Sequence, residues 1–266
     1  MTLRLGFVGV GKWSQKLATA FRACGAEIVA HCRRQGSPPK AGWVKAMHWA
    51  DMIADPSIDA IIAVAPPEVT TEVAMACAAA GKAVMATKPL FDHPETIRAP
   101  FYVDFWRLWS EAHTAGSDYR SFDLHGSGPV RDYPGTFDYG PHVMAAVLDK
   151  FPEAKMDPNY SDVQTMRTPH GELRSVRFYC SRDRVVTALF GNGSLLPERK
   201  IWGKVETATH IGAELKSDVL QRFCQSFLND ISEGFVDTRL LNLSRDGMRE
   251  LRRIREMATA SDPTRR

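Results

Sequence analysis

Leu5-Gly6-Phe7-Val8-Gly9-Val10-Gly11-Lys12-Trp13-Ser14 decides the fold. Leu5 to Val10 is an apolar run broken only by Gly6 and Gly9, which reads as a buried strand. Trp13, Leu17, Ala20 and Phe21 then recur at one helical face. Two glycines, Gly9 and Gly11, sit between strand and helix. The first permits a tight turn and the second lets backbone approach a diphosphate; Ser14 stands where a small residue allows helix and strand to pack closely. Lys12 and Trp13 open the helix, whose free N–H groups and positive dipole end suit an anion.

The same rhythm continues outward. Glu27 to Cys32 reads as a second strand and Asp59 to Ala65 as a third, stopped by Pro66-Pro67. Val69, Val73, Ala76, Cys77 and Ala80 restore the helical period, with Gly81 as a fitting C-cap. Ala83 to Ala86 is another short buried strand. Strands separated by helices of this length predict βαβ units and a doubly wound parallel sheet. Beyond Pro89 the pattern changes. Val176, Phe178 and Cys180 alternate with Arg177, Tyr179 and Ser181, and Val186, Ala188 and Phe190 follow in the same period, as in an antiparallel sheet with one wet face. Leu220, Phe223, Phe227 and Ile231, then Met248, Leu251 and Ile254, mark two late helices. The expected class is α/β: a Rossmann domain over residues 1–117, then an α+β domain over 118–266 with a mostly antiparallel open sheet. The last helix is free to pack back on the first domain.

The second strand ends His31-Cys32-Arg33-Arg34-Gln35-Gly36-Ser37, and no carboxylate occurs between Glu27 and Asp51. Sites for NAD commonly place an acid there to hold the ribose 2′-hydroxyl. Two guanidinium groups and the Ser37 hydroxyl suit a 2′-phosphate instead. The pattern favours NADP(H), with NAD(H) as the alternative.

Composition excludes other classes. In 266 residues, 34 Lys and Arg balance 31 Asp and Glu, which argues against a nucleic-acid or anionic-membrane surface. The five cysteines form no C-x-x-C pair, and no zinc or other metal spacing is present. No apolar run approaches the length of a membrane span, and Met1 leads almost directly into a strand, so a cytoplasmic location is expected.

Three segments line up in order: Gly9-Val10-Gly11-Lys12-Trp13; Asp59 to Leu90, with Ala65-Pro66-Pro67 and the ending Thr87-Lys88-Pro89-Leu90; and Gly135-Thr136-Phe137-Asp138-Tyr139-Gly140-Pro141-His142. Together they resemble the glucose–fructose oxidoreductase / inositol dehydrogenase family. The likeness is good over residues 1–90, moderate over 120–145, and general elsewhere. It implies hydride transfer between a nicotinamide cofactor and a carbon of a sugar, cyclitol or nucleotide sugar. It implies cofactor contacts at Gly9, Gly11, Lys12, Trp13, Ala65, Pro66, Pro67 and Lys88, beside the Arg33, Arg34 and Ser37 already read from the residues after the second strand. It also implies that the open sheet meets a second subunit, in a homodimer or homotetramer.

The family's Glu-Lys-Pro motif resembles Thr87-Lys88-Pro89, which makes Lys88 the candidate catalytic lysine. Its Asp-x-x-x-His pair resembles Asp138 and His142, a spacing that puts both on one helical face. His142 would be the acid/base, with Asp138 orienting substrate or lysine. Thr87 departs from the family's glutamate, and the stretch Phe91 to Pro100 is shorter than the helix the family inserts there. Tyr102 and Trp106 are candidates to stack on substrate, or else members of the core or of an oligomer interface. Arg131, in a glycine-rich loop, could clamp a phosphate or carboxylate. Two other readings stay open: a dinucleotide-binding sensor without turnover, and a reductase of an imine or linear tetrapyrrole.

Overall fold

The computed structural model describes residues 2–33, 45–109, 121–127, 135–157, 161–168, 171–181, 184–191, 200–205, 210–212 and 217–260. The chain divides into two compact units, Met1–Trp109 with Leu215–Asn242, and Ser110–Glu214 with Leu243–Arg266.

The first unit is built on six strands: β1 (Arg4–Val8), β2 (Glu27–Cys32), β3 (Lys45–Ala46), β4 (Ala60–Ala63), β5 (Ala83–Ala86) and β6 (Phe101–Val103). Their order is β3-β2-β1-β4-β5-β6, and every pair is parallel. This is the doubly wound order that the βαβ rhythm predicts, with its switch point between β1 and β4. A parallel sheet covered on both faces needs continuously apolar strands. Leu5, Phe7, all of β4 and all of β5 are accordingly buried.

Helix α1 (Lys12–Ala23) buries Leu17, Ala18, Ala20 and Phe21, the predicted face. Helix α2 is short (Trp49–Ala54). Helix α3 (Pro67–Ala80) starts with Pro67 at its first position, where no intrahelical N–H is needed, and stops at Gly81 in the left-handed region.

The stretch between β5 and β6 carries no helix, so β6 follows from a plain loop and the aromatic run ends in a short 3₁₀ turn, Trp106–Trp109. A helix from late in the sequence, Ser217–Glu233, belongs to this unit and packs on α1 and on that 3₁₀ turn. Phe227 meets Phe21 edge to face at 6.2 Å. Tyr102 is buried against Phe227 and Phe223, and its hydroxyl donates to Asp230 Oδ2 at 2.7 Å. Burial raises the Tyr102 phenol above its ordinary range, and the Asp230 carboxylate adds to the rise.

The second unit holds β7 (Ser121–Ser127), α4 (Gly135–Lys150), β8 (Ser161–Thr168), β9 (Gly171–Ser181), β10 (Arg184–Gly191), β11 (Lys200–Val205) and β12 (His210–Gly212). With the helix Ser217–Glu233 numbered α5, the last helix, α6, is Arg239–Ala260. The strand order is β12-β11-β7-β10-β9-β8, antiparallel throughout except for the parallel pair β7–β10. The predicted alternation is real. Val176, Phe178, Val186, Ala188 and Phe190 are buried, whereas Arg177 and Tyr179 are exposed.

Helix α4 packs on the inner face across β7, β9 and β10. Gly140 is where it comes closest: a Cβ there would lie 2.6 Å from Leu251 of α6 and 3.3 Å from Phe190. Buried Glu250 of α6 is satisfied by the Met156 N–H at 2.8 Å and by Arg253 at 3.3 Å. An unpaired carboxylate there would be costly.

Candidate functional site

The register of the parallel sheet defines one line across the first unit. Val8 pairs with Cys32 and with Ala63, Ala63 with Ala86, and Ala86 with Val103. One residue past that line stand Gly9, Arg33, Val64, Thr87 and Asp104. They form a row on the carboxyl edge of the sheet, where open α/β sheets take their ligands.

Gly9 cannot be another residue. Its φ is +98°, and a Cβ would lie 2.0 Å from the Val64 carbonyl oxygen. Its N–H donates to Cys32 O at 2.8 Å, which ties the turn to β2. Gly11 differs: its φ is an ordinary −71°, and a Cβ there would meet nothing within 4 Å. Among the described residues, none fills the room above Gly11. Gly11 caps α1 with no side-chain cap, and no acid stands in the first turn, so the helix start is left to an anion. These residues fit a dinucleotide diphosphate.

Arg33 follows β2 directly, and its Nη1 is buried with no hydrogen-bond partner among the described residues. Arg34, Ser37 and Arg131 lie outside the described residues. At the next turn, the buried Thr70 hydroxyl donates to Ala65 O at 2.9 Å and accepts from Ala65 N–H at 3.1 Å. This fixes Ala65, Pro66 and Pro67 at the mouth of α3.

Thr87, in place of the family glutamate, bonds back to β4. Its N–H donates to Ala63 O at 2.9 Å, and its hydroxyl lies 3.3 Å from the same oxygen. Lys88 comes next, half-buried, and its bond to Pro89 is cis.

Trp13 is anchored. Its indole N–H donates to Asp104 Oδ2 at 2.5 Å, and its ring lies 6.3 Å from that of Trp106. Sequence reasoning passed over Asp104. The available signal was a lone acid inside the aromatic run Phe101–Trp109, at a strand end. Trp106 and Tyr102 are both buried within the first unit.

In the second unit, Asp138 and His142 lie one turn apart on α4. Each is two residues from Gly140, hence about 200° round the helix from the side that meets Phe190 and Leu251. Asp138 is buried and His142 half-buried. Among the described residues no group of three His, Cys, Asp or Glu could hold a metal ion, and no helix is long and apolar enough to cross a membrane.

Residues 3–100 match the model of the oxidoreductase family with NAD-binding Rossmann fold (Gfo/Idh/MocA). No curated protein matches the chain. Among solved structures, myo-inositol 2-dehydrogenase from Lactobacillus plantarum is 14% identical with a TM-score of 0.79, covering 98% of both chains. The scyllo-inositol dehydrogenase from Lactobacillus casei, solved with NAD(H) and scyllo-inositol, is 13% identical with a TM-score of 0.78, again over 98% of both chains. Biliverdin reductase from Synechocystis, solved with biliverdin and NADP+, is 16% identical with a TM-score of 0.67, covering 96% of this chain and 98% of that one. Fold and turn together define a Rossmann-type domain with a glycine turn at its first strand–helix junction. Over residues 3–100, and not beyond, the chain is similar to the Gfo/Idh/MocA family.

Proposed function

We propose that the protein is an NADP(H)-dependent oxidoreductase acting on an alcohol carbon, or the matching carbonyl, of a sugar, cyclitol or nucleotide sugar. The observation that carries this is the edge row: an open, acid-free diphosphate turn at Gly9–Trp13, an arginine after β2, and a lysine after β5. A bound nicotinamide supplies or accepts the hydride; the protein must handle the proton. Lys88 is assigned to hold the reacting oxygen by a charge-assisted hydrogen bond, which strengthens as that oxygen gains negative charge. His142 is assigned to give or take the hydroxyl proton, and Asp138 to orient its neighbours. The inositol dehydrogenase likenesses support the substrate class. The test is absorbance at 340 nm with NADPH over a panel of sugars, cyclitols, nucleotide sugars and keto compounds. Saturable binding without consumption on any of them would replace this reading with the sensor; turnover confined to a linear tetrapyrrole would replace it with the reductase.

Cofactor preference rests on Arg33. A charge-assisted pair to phosphate is worth about 1.5–3 kcal/mol, or roughly 10- to 150-fold. Arg33→Ala is expected to weaken NADPH by that factor and NADH only slightly. Equal weakening of both, in fluorescence titrations, would refute the 2′-phosphate assignment.

We also assign the protein to the cytoplasm and to a homodimer or homotetramer. Supporting the latter, Met166 and Tyr179 on β8 and β9 are 48% and 45% exposed. Exposed apolar groups on an open sheet favour a symmetric partner. Light scattering at micromolar concentration is expected to give a dimer or larger, and a monomer mass would refute the assembly.

A further inference from the structure

We propose that Asp104 is a positioning residue for the dinucleotide turn: its carboxylate fixes the Trp13 indole, and through it the first turn of α1. The inference rests on the dinucleotide reading above. Asp104 is the last member of the edge row. Its backbone N–H donates to Ala86 O at 2.8 Å, so β5 holds it two residues before Lys88. Its side chain is only 3% exposed and accepts the Trp13 indole N–H at 2.5 Å. Trp13 is the second residue of α1. The Trp106 ring lies beside the indole, and the Lys16 ammonium is 6.0 Å from its ring.

A buried carboxylate is a costly acceptor for a neutral donor, because its desolvation must be repaid. What the hydrogen bond adds is a fixed direction at a helix start that has no side-chain cap of its own. The uncapped N–H groups of that turn bind a diphosphate only when they are aimed at it. Asp104 spans the sheet edge from β6 to α1 and sets that aim relative to the end of β5. It acts through Trp13 and is assigned no contact with cofactor or substrate.

The experiment is a double-mutant cycle on the full chain, read with two probes. NADPH spans the turn. Adenosine 2′-monophosphate carries the 2′-phosphate but no diphosphate. Asp104→Leu and Trp13→Phe are each expected to weaken NADPH about tenfold, with adenosine 2′-monophosphate changed less than about twofold. The double variant is expected to be no weaker than either single one. Asp104→Asn, which keeps an oxygen acceptor, is expected to return to within about threefold of wild type.

Parallel weakening of both probes would make Asp104 a general structural residue and overturn the proposal. So would effects that multiply in the double variant, or single variants that bind like wild type. Should Asp104→Leu fail to fold, Trp13→Phe removes the same hydrogen bond from the other side and decides alone with the two probes. Wild type that binds neither NADPH nor NADH would bring down the dinucleotide reading, and this inference with it. Wild type that binds NADPH with a multiplicative cycle brings down this inference only.

Discussion

Lys88→Met lowers turnover by about 10²–10⁴-fold, far more than it weakens the dinucleotide; this is the expected result if Lys88 holds the reacting oxygen. Methionine keeps the length and removes only the charge and the donors. The interaction is strongest when charge builds on the oxygen, so its loss appears in kcat before it appears in binding. His142→Asn is expected to fall in the same range and to remove the limb of the pH–rate profile that an imidazole sets. Asp138→Asn is expected to lie between them and wild type. Thr87→Glu restores the family's carboxylate beside Lys88 and breaks the hydroxyl contact with Ala63; an altered pH profile is the expected readout. Steady-state kinetics on a verified substrate decide the matter. Wild-type turnover in both Lys88→Met and His142→Asn would remove the two residues from the mechanism.

The second large effect separates two glycines that look alike in the sequence. Gly9→Ala forces a side chain into the left-handed region and 2.0 Å from a backbone oxygen that cannot rotate away. The expected cost is about 2–5 kcal/mol of stability, enough to be plain in urea denaturation. Gly11→Ala meets none of the described residues and sits at ordinary φ. Its stability is expected to hold within about 0.5 kcal/mol, or to rise slightly, because the unfolded chain loses freedom. Its dinucleotide affinity is expected to fall at least about tenfold, since a diphosphate needs the bare backbone there. Equal urea midpoints for Gly9→Ala and wild type would contradict the turn geometry. Unchanged affinity in Gly11→Ala would move the diphosphate elsewhere.

Local pattern made the sheet core legible. β1, β4 and β5 are short apolar runs between helices, and burial on both faces leaves no other place for them. The alternation of β9 and β10 was equally plain, since one face is wet. Three features escaped for physical reasons. β3 is two residues long and both are exposed, so it carries no apolar signature. β6 is three residues inside an aromatic run, too short to show a period. The stripe Leu220, Phe223 and Phe227 announces a helix, but periodicity does not say what covers it. The Tyr102–Asp230 bond spans 128 residues, a separation no motif spacing reaches. The glycine turn at Gly9 and Gly11 was legible because backbone shape and motif coincide. The place of Asp104 beside that turn was not, because it follows from strand register, which exists only once the sheet is assembled.

The return of α5 to the first unit has a consequence for how the protein is made. The ribosome completes Trp109 well before Ser217–Glu233, and at about 5–20 residues per second the interval is roughly 5–25 s. During that time Phe21 and Tyr102 lack the aromatic partners Phe223 and Phe227 that α5 brings. The nascent first unit is an open sandwich with one apolar side uncovered, a surface that chaperones bind and that invites aggregation. The N-terminal 109 residues are therefore not a portable cassette. A graft onto another protein must carry the α5 segment as a second piece, and expression of residues 1–109 alone leaves this apolar side in water.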